Sequence, residues 1–206
     1  MPRREGRRDK MEITNIMLSG VGGQGILTSG RIIALAAMDA GLDVKMSEVH
    51  GMSQRGGNVD THVRIGEEVP SSLIPVGGAH FLVSFEKLEA LRYLNYLRPD
   101  GTAFVARHEI PPLTQNLKKN AGYVVDIDAK LEAKAPKLVW VDAFELAKEL
   151  GDPRMVNVIL LGALSNAIKG LSAKNWEAAI RQRFKKKAQE ACLEAFRRGS
   201  AYGRAA

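Results

Sequence analysis

The opening order of the chain restricts its fold most. An apolar run over residues 13–19 leads into a glycine loop, GVGGQG at residues 20–25, and then into helical spacing over residues 24–39. The run is short and ends in glycines, as a buried strand does. Ile26, Ile33, Ala34, Ala37 and Met38 recur at helical intervals, and Gly41 supplies a stop. Residues 42–48 read as a second strand. Strand, glycine loop, helix and strand commit the chain to a layered α/β architecture. A length of 206 residues suits one such domain, and 45% hydrophobic content is enough for an ordinary core.

The next segment breaks the pattern. Residues 49–58, VHGMSQRGGN, hold three glycines in ten positions. That is too polar and too glycine-rich for a crossover helix. Val59, Thr61, Val63 and Ile65 then alternate as one face of a strand. A short connection joins antiparallel neighbours, because a parallel crossover needs about a dozen residues or more. The expected fold is a single three-layer α/β domain with a mixed, mostly parallel sheet, a Rossmann-like start and an antiparallel excursion. Further strands are expected at residues 81–85, 102–106, 123–127 and 138–141. Helices are expected at residues 86–97, 143–150 and 154–169, at residues 172–184 behind a Ser172 cap, and at residues 186–198. Pro99, Asp100 and Gly101 read as a turn. Residues 1–12 form a basic tail expected to be disordered, residues 13–184 the α/β domain, and residues 185–206 a C-terminal helix and tail.

The net charge of +7 is concentrated at the two ends, in MPRREGRRDK and in residues 181–198. A nucleic-acid reader more often carries charge on the folded face beside stacking aromatics, so the ends read as solvated and no nucleic-acid partner is expected. Cys192 is the lone cysteine. It allows no intramolecular disulfide, which suits a reducing cytoplasm, and no four-thiolate cluster or cysteine zinc site. No apolar run reaches the ~20 residues that span a bilayer. The expectation is a cytoplasmic chain with no membrane partner and no metal.

Three segments could carry chemistry. GVGGQG fits G-x-G-x-x-G at Gly20, Gly22 and Gly25 between a strand and a helix. Glycines let the backbone approach a phosphate, and the helix N-terminus offers free N–H groups. A tight turn that uses glycine only for packing is the alternative. The same letters open a Rossmann-type NAD(P)- or flavin-binding dehydrogenase, with Glu48 as the ribose-binding acid. Residues 49–58 cannot supply the second crossover such a fold needs. The second segment, SEVHGMSQRGG at residues 47–57, crowds a carboxylate, an imidazole, hydroxyls, an amide and a guanidinium into one loop. Arg55 suits a carboxylate or phosphate, and His50 suits a proton carrier or hydrogen-bond donor. Ser53 lacks a base and is not read as a nucleophile. The third is RMVNVILLGALSNAIK, apolar almost all round, which marks a central helix or a subunit interface.

In this order GVGGQG, SEVHGMSQRGG, HVRIG, SLIP, FEKLEALRYLNYL, NVILLGAL and NWEAAIRQRF resemble the gamma-type component of 2-oxoacid:ferredoxin oxidoreductases, over about residues 15–199. The second loop is the more specific and is similar to that of the beta subunit in the indolepyruvate subfamily. The resemblance implies a small subunit of an enzyme that decarboxylates an aryl pyruvate on thiamine diphosphate. Electrons then pass through iron–sulfur clusters to ferredoxin, and the acyl group passes to coenzyme A. With one cysteine and no thiamine diphosphate signature, the 4Fe-4S clusters, thiamine diphosphate and Mg fall to a partner, the large alpha subunit. Ferredoxin is then engaged indirectly. The isolated chain is expected to be inactive, and a homodimer is open to it. By the same resemblance Gly20, Gly22, Gly23, Gln24 and Gly25 meet coenzyme A phosphates. Ser47, Glu48, Gln54 and Arg55 belong to the cofactor-binding side of the second loop. His50 and Arg55 are the candidates nearest the chemistry. The basic opening and the lysines at residues 185–187 depart from the family pattern.

Overall fold

The strands are β1 (Thr14–Val21), β2 (Asp43–His50), β3 (Asn58–Gly66), β4 (Ala79–Ser84), β5 (Leu97–Ala106) and β6 (Lys137–Val141), in a computed structural model that describes residues 12–50, 57–110 and 124–204. They form one sheet in the order β2-β3-β1-β4-β5-β6. β3 is antiparallel to both β1 and β2, while β1, β4, β5 and β6 pair in parallel. The sheet is therefore mostly parallel with one reversed strand. The antiparallel excursion expected from the short second loop is present, and β3 slots between the two strands that precede it.

That order sorts the helices. Among the described residues they are α1 (Ile26–Asp39), α2 (Lys87–Tyr93), α3 (Ile127–Lys134), α4 (Ala143–Glu149), α5 (Val156–Ser165), α6 (Ala173–Arg183) and α7 (Lys186–Gly203). From β1 the chain moves one way to β2 and the other way to β4, β5 and β6. Right-handed crossovers taken in opposite directions put helices on opposite faces. Ile16 and Leu18 accordingly share a core with α1, α5, α6 and α7, while Met17, Leu82, Ala103 and Val105 share one with α2 and α3. The reversal falls between β1 and β4, the place where open α/β sheets form a crevice at their C-terminal edge.

Local details differ from the sequence reading for identifiable reasons. Helical spacing puts Met38 on the apolar face of α1, but it is 63% exposed; Ile33 and Ala37 are buried as expected, together with Ile32 and Ala36. Within the expected strand at residues 123–127, the described residues 124–127 form a turn and the start of α3. Asp126 takes a left-handed conformation, Ile127 and Leu131 bury one helical turn apart, and Val125 is exposed. Pro99, Asp100 and Gly101 do not leave the sheet. They are an irregularity inside β5, where the register against β4 shifts, and β6 pairs only from Thr102 onward. Proline is tolerated there because one edge lacks a neighbour. The helix expected from residue 154 begins at Val156, after a 3-10 turn at Pro153–Met155 whose cap is Asp152.

The helix α5 is buried from Val156 to Leu164, and α7 lies against it at backbone contact. A Cβ on Gly162 would strike the backbone of Phe196 and Ser200, and one on Gly199 would strike the carbonyl of Ile159. Both obstacles are main chain inside helices and cannot yield without moving a helix. Gly199→Val is therefore expected to cost roughly 1–3 kcal/mol or more by overpacking, read as a lower midpoint in urea. An unchanged midpoint would show that the helices part freely.

Candidate functional site at the C-terminal edge of the sheet

The first loop turns the chain from β1 into α1. Gly23 has φ 101° and Gly25 has φ 84°, left-handed values that glycine adopts without strain. Gly20 is glycine for a different reason: a Cβ there would meet the Gln24 side chain, Ile26 and Phe85. The Gln24 side chain is committed inward. Its Oε1 accepts from the Val21 N–H at 2.7 Å, and its Nε2 donates to the Phe85 carbonyl at 2.9 Å. Gly22 N–H donates to the Gly57 carbonyl at 2.9 Å, tying the first loop to the end of the second. The groups this loop offers a ligand are therefore those around Gly23 and Gly25 and the first turn of α1. α1 has no side-chain cap and no acidic residue in its first turn, so its free N–H groups and positive dipole end stay available.

A cavity of about 770 Å³ opens there. Gly23, Gly25 and Thr28 line one wall, and Asn157 of α5 closes over Gly25. Asn157 is 5% exposed; its Oδ1 accepts from the Val158 N–H at 2.8 Å, and its Nδ2 has no hydrogen-bond partner among the described residues. Arg183, Lys185 and Lys187 border the cavity from the junction of α6 and α7. Arg183 Nη2 donates to Thr28 Oγ1 at 3.2 Å, joining that junction to α1. Asp152 is the acidic side chain of the lining, and Arg154 holds both its oxygens, at 2.9 and 2.8 Å. The cavity is thus positive, with an apolar side where His108 stacks on Phe144 at 4.4 Å.

The second loop joins the same edge, since β2 ends at His50 and β3 begins at Asn58. His50 pairs with Val59 through the backbone. Gln54 and Arg55 lie outside the described residues. Ser47 and Glu48 are half-buried and lie opposite His62 and Thr61. Because β3 intervenes, Glu48 is two strands from β1, roughly 10 Å in the sheet. A ribose-binding acid belongs on the strand beside β1, so this topology removes the dinucleotide-binding alternative.

A buried polar network lies beneath that loop, and the sequence reading did not find it. His62 Nδ1 accepts from the Ile74 N–H at 3.0 Å, so the ring proton is on Nε2, 3.3 Å from Asp60 Oδ2. Asp60 Oδ1 accepts from the Tyr93 hydroxyl at 2.7 Å, and that hydroxyl accepts from Asn58 Nδ2 at 3.1 Å. Burial pushes the Tyr93 hydroxyl well above its ordinary range. The available signal was the polar alternation of Asn58, Asp60, His62 and Arg64 on one face of β3. Such a stripe reads as solvent-facing until Tyr93, Tyr96 and the segment at residues 71–74 are seen against it.

Comparison with known proteins follows the same lines. The family model described as pyruvate ferredoxin/flavodoxin oxidoreductase matches residues 15–202. The indolepyruvate oxidoreductase subunit IorB of Thermococcus kodakarensis is 43% identical over 157 residues, 75% of this chain and 78% of that protein. Its namesake from Pyrococcus horikoshii is 40% identical over 190 residues, 90% of this chain and 94% of that one. Among solved structures, the 2-oxoglutarate:ferredoxin oxidoreductase from Magnetococcus marinus with 2-oxoglutarate, coenzyme A and succinyl-CoA bound shares the fold. Its TM-score is 0.74 at 22% identity, covering 95% of this chain and 32% of that one.

Burial, more than any charge, pushes the His108 imidazole below its ordinary value of 6.5. The unfolded ring takes a proton near that pH and the folded ring only below it. Its stabilising contribution is therefore present above about pH 6.5 and lost as pH falls. A proton NMR titration is expected to give His108 a midpoint below 6.5; a midpoint at or above it would contradict the desolvated stack on Phe144.

Proposed function

The chain belongs to the pyruvate ferredoxin/flavodoxin oxidoreductase family as a small subunit of a 2-oxoacid:ferredoxin oxidoreductase, and from that premise we propose that it serves an indolepyruvate-type enzyme by holding coenzyme A. The curated relatives named as indolepyruvate oxidoreductase subunits support the substrate class. The observation that carries the coenzyme A reading is the cavity at the uncapped N-terminus of α1, positive on two walls and apolar on a third. A diphosphate fits the N–H groups at Gly23 and Gly25, with Asn157 Nδ2 as a further donor. The ligand's thiol arm then extends along the sheet edge toward the second loop.

The redox groups fall to another subunit. A 4Fe-4S cluster takes four thiolates, and this chain has Cys192 alone, buried, with burial pushing its thiol above the ordinary range. That donor set does not fit a cluster. In this reading thiamine diphosphate, Mg and the clusters belong to the large alpha subunit, and ferredoxin meets this chain only through it. The second loop leaves the same sheet edge, which supports Gln54 and Arg55 as polar contacts to the joint cavity, with His50 at its root.

In the reconstituted complex Gly23→Val is expected to raise the KM for coenzyme A by about tenfold or more, because a β-branched residue at positive φ deforms the phosphate loop. The KM for the 2-oxoacid should hardly change. Unaltered coenzyme A kinetics in that variant would remove the phosphate role from the first loop. Arg55→Ala is expected to weaken use of the 2-oxoacid or coenzyme A with folding intact; unchanged kinetics would make the second loop structural.

A further inference from the structure

The basic run where α6 meets α7 lines the same cavity as the first loop. We propose that this junction is a second anion subsite, in which Lys185, Lys187 and the N-terminus of α7 hold a phosphate monoester separate from the diphosphate at α1. The inference rests on the coenzyme A reading and identifies which part of such a ligand the cavity selects for.

Of the cations along α6 and α7, Lys185, Lys187 and Arg183 line the cavity without a carboxylate partner among the described residues. Arg181 pairs with Glu190 at 2.7 Å, Arg197 with Glu177 and Glu194 at 3.8 and 3.7 Å, and Arg198 with Glu149 at 3.2 Å. The carboxylates of this region are thus engaged by other cations. Lys185 and Lys187 have no ion-pair partner among the described residues, are exposed, and face the cavity. α7 begins beside them with no side-chain cap and no acidic residue in its first turn. Its N–H groups and dipole end therefore add to the two ammonium groups. Among the described lining residues the one carboxylate, Asp152, is bound by Arg154 and does not offset them.

The opposite wall is already an anion-binding surface by independent features. The first turn of α1 is uncapped, and Asn157, nine-tenths buried, turns an unpartnered Nδ2 toward Gly25. Two positive walls across one cavity of about 770 Å³ exceed what a single phosphate would fill. That volume lies within the usual small-molecule range of roughly 300–1,000 Å³ and is too small for a nucleic-acid duplex. Between the walls, His108, Phe144, Met155 and Phe184 give apolar surface suited to a base or ribose. The chemistry is that of a nucleotide carrying a diphosphate and, elsewhere on the sugar, a phosphate monoester.

The test is calorimetric titration of the assembled complex with coenzyme A and with 3′-dephospho-coenzyme A, for the unaltered chain, for the double variant Lys185→Gln with Lys187→Gln, and for Lys187→Arg. The unaltered complex is expected to bind coenzyme A about tenfold or more tighter than the dephospho form. The double variant should lose that preference and keep its affinity for the dephospho form, while Lys187→Arg should keep the preference. Coenzyme A binding whose preference survives the double variant would overturn the subsite and leave the first-loop reading standing. Equal binding of both nucleotides by the unaltered complex would also overturn it. Binding of neither nucleotide would overturn both.

Discussion

The side chain of Gln24 is the contact on which the rest of the site depends. One amide spans the turn, accepting from Val21 at the end of β1 and donating to Phe85 at the end of β4. Those two strands flank the point where the sheet's connectivity reverses. The amide thus fixes the loop to the sheet and aims α1, and the left-handed Gly25 leaves that helix without a side-chain cap. An uncapped, partly sheltered helix N-terminus has unsatisfied donors and a positive end. The cavity is what the fold builds around that demand, with Asn157 from α5 and cations from the α6–α7 junction completing it.

Much of this was legible in the sequence. The strand–glycine loop–helix opening set the architecture, and the glycine content of residues 49–58 ruled out a crossover helix there. The alternation of Thr61, Val63 and Ile65 then made β3 a strand, although Asp60 and His62 on its other face are buried as well. What could not be read was adjacency. Nothing local says that β3 enters between β1 and β2, yet that insertion moves Glu48 away from the first loop. Gln24 stands within a motif read as ligand-facing, and its role as an internal strut depends on Phe85, 61 residues away. Asn157 looked like one polar residue in an apolar helix. Residues 185–187 looked like a solvated charge run, and only the packing of α6 on α1 and of α7 on α5 brings them to the cavity.

The polar network beneath the second loop shows the same limit from the other side. Asp60, His62 and Tyr93 are satisfied by one another and by Ile74, so they add specificity of position to the root of that loop. Glu89, close by and buried, keeps one carboxylate oxygen without a hydrogen-bond partner, and burial pushes its carboxyl up. Buried polar groups of this kind are costly unless the surrounding structure over-determines them. Here they fasten the reversed strand β3 to α2, and so hold the second loop's end against Gly22 of the first. The two loops are thereby mechanically linked at one edge of the sheet.

The most direct measurement is a structure of the assembled complex with coenzyme A bound. The account expects the diphosphate within hydrogen-bond distance, about 3 Å, of N–H groups around Gly23, Gly25 and the first turn of α1. A diphosphate bound entirely by the partner subunit, with this cavity holding only water, would contradict it.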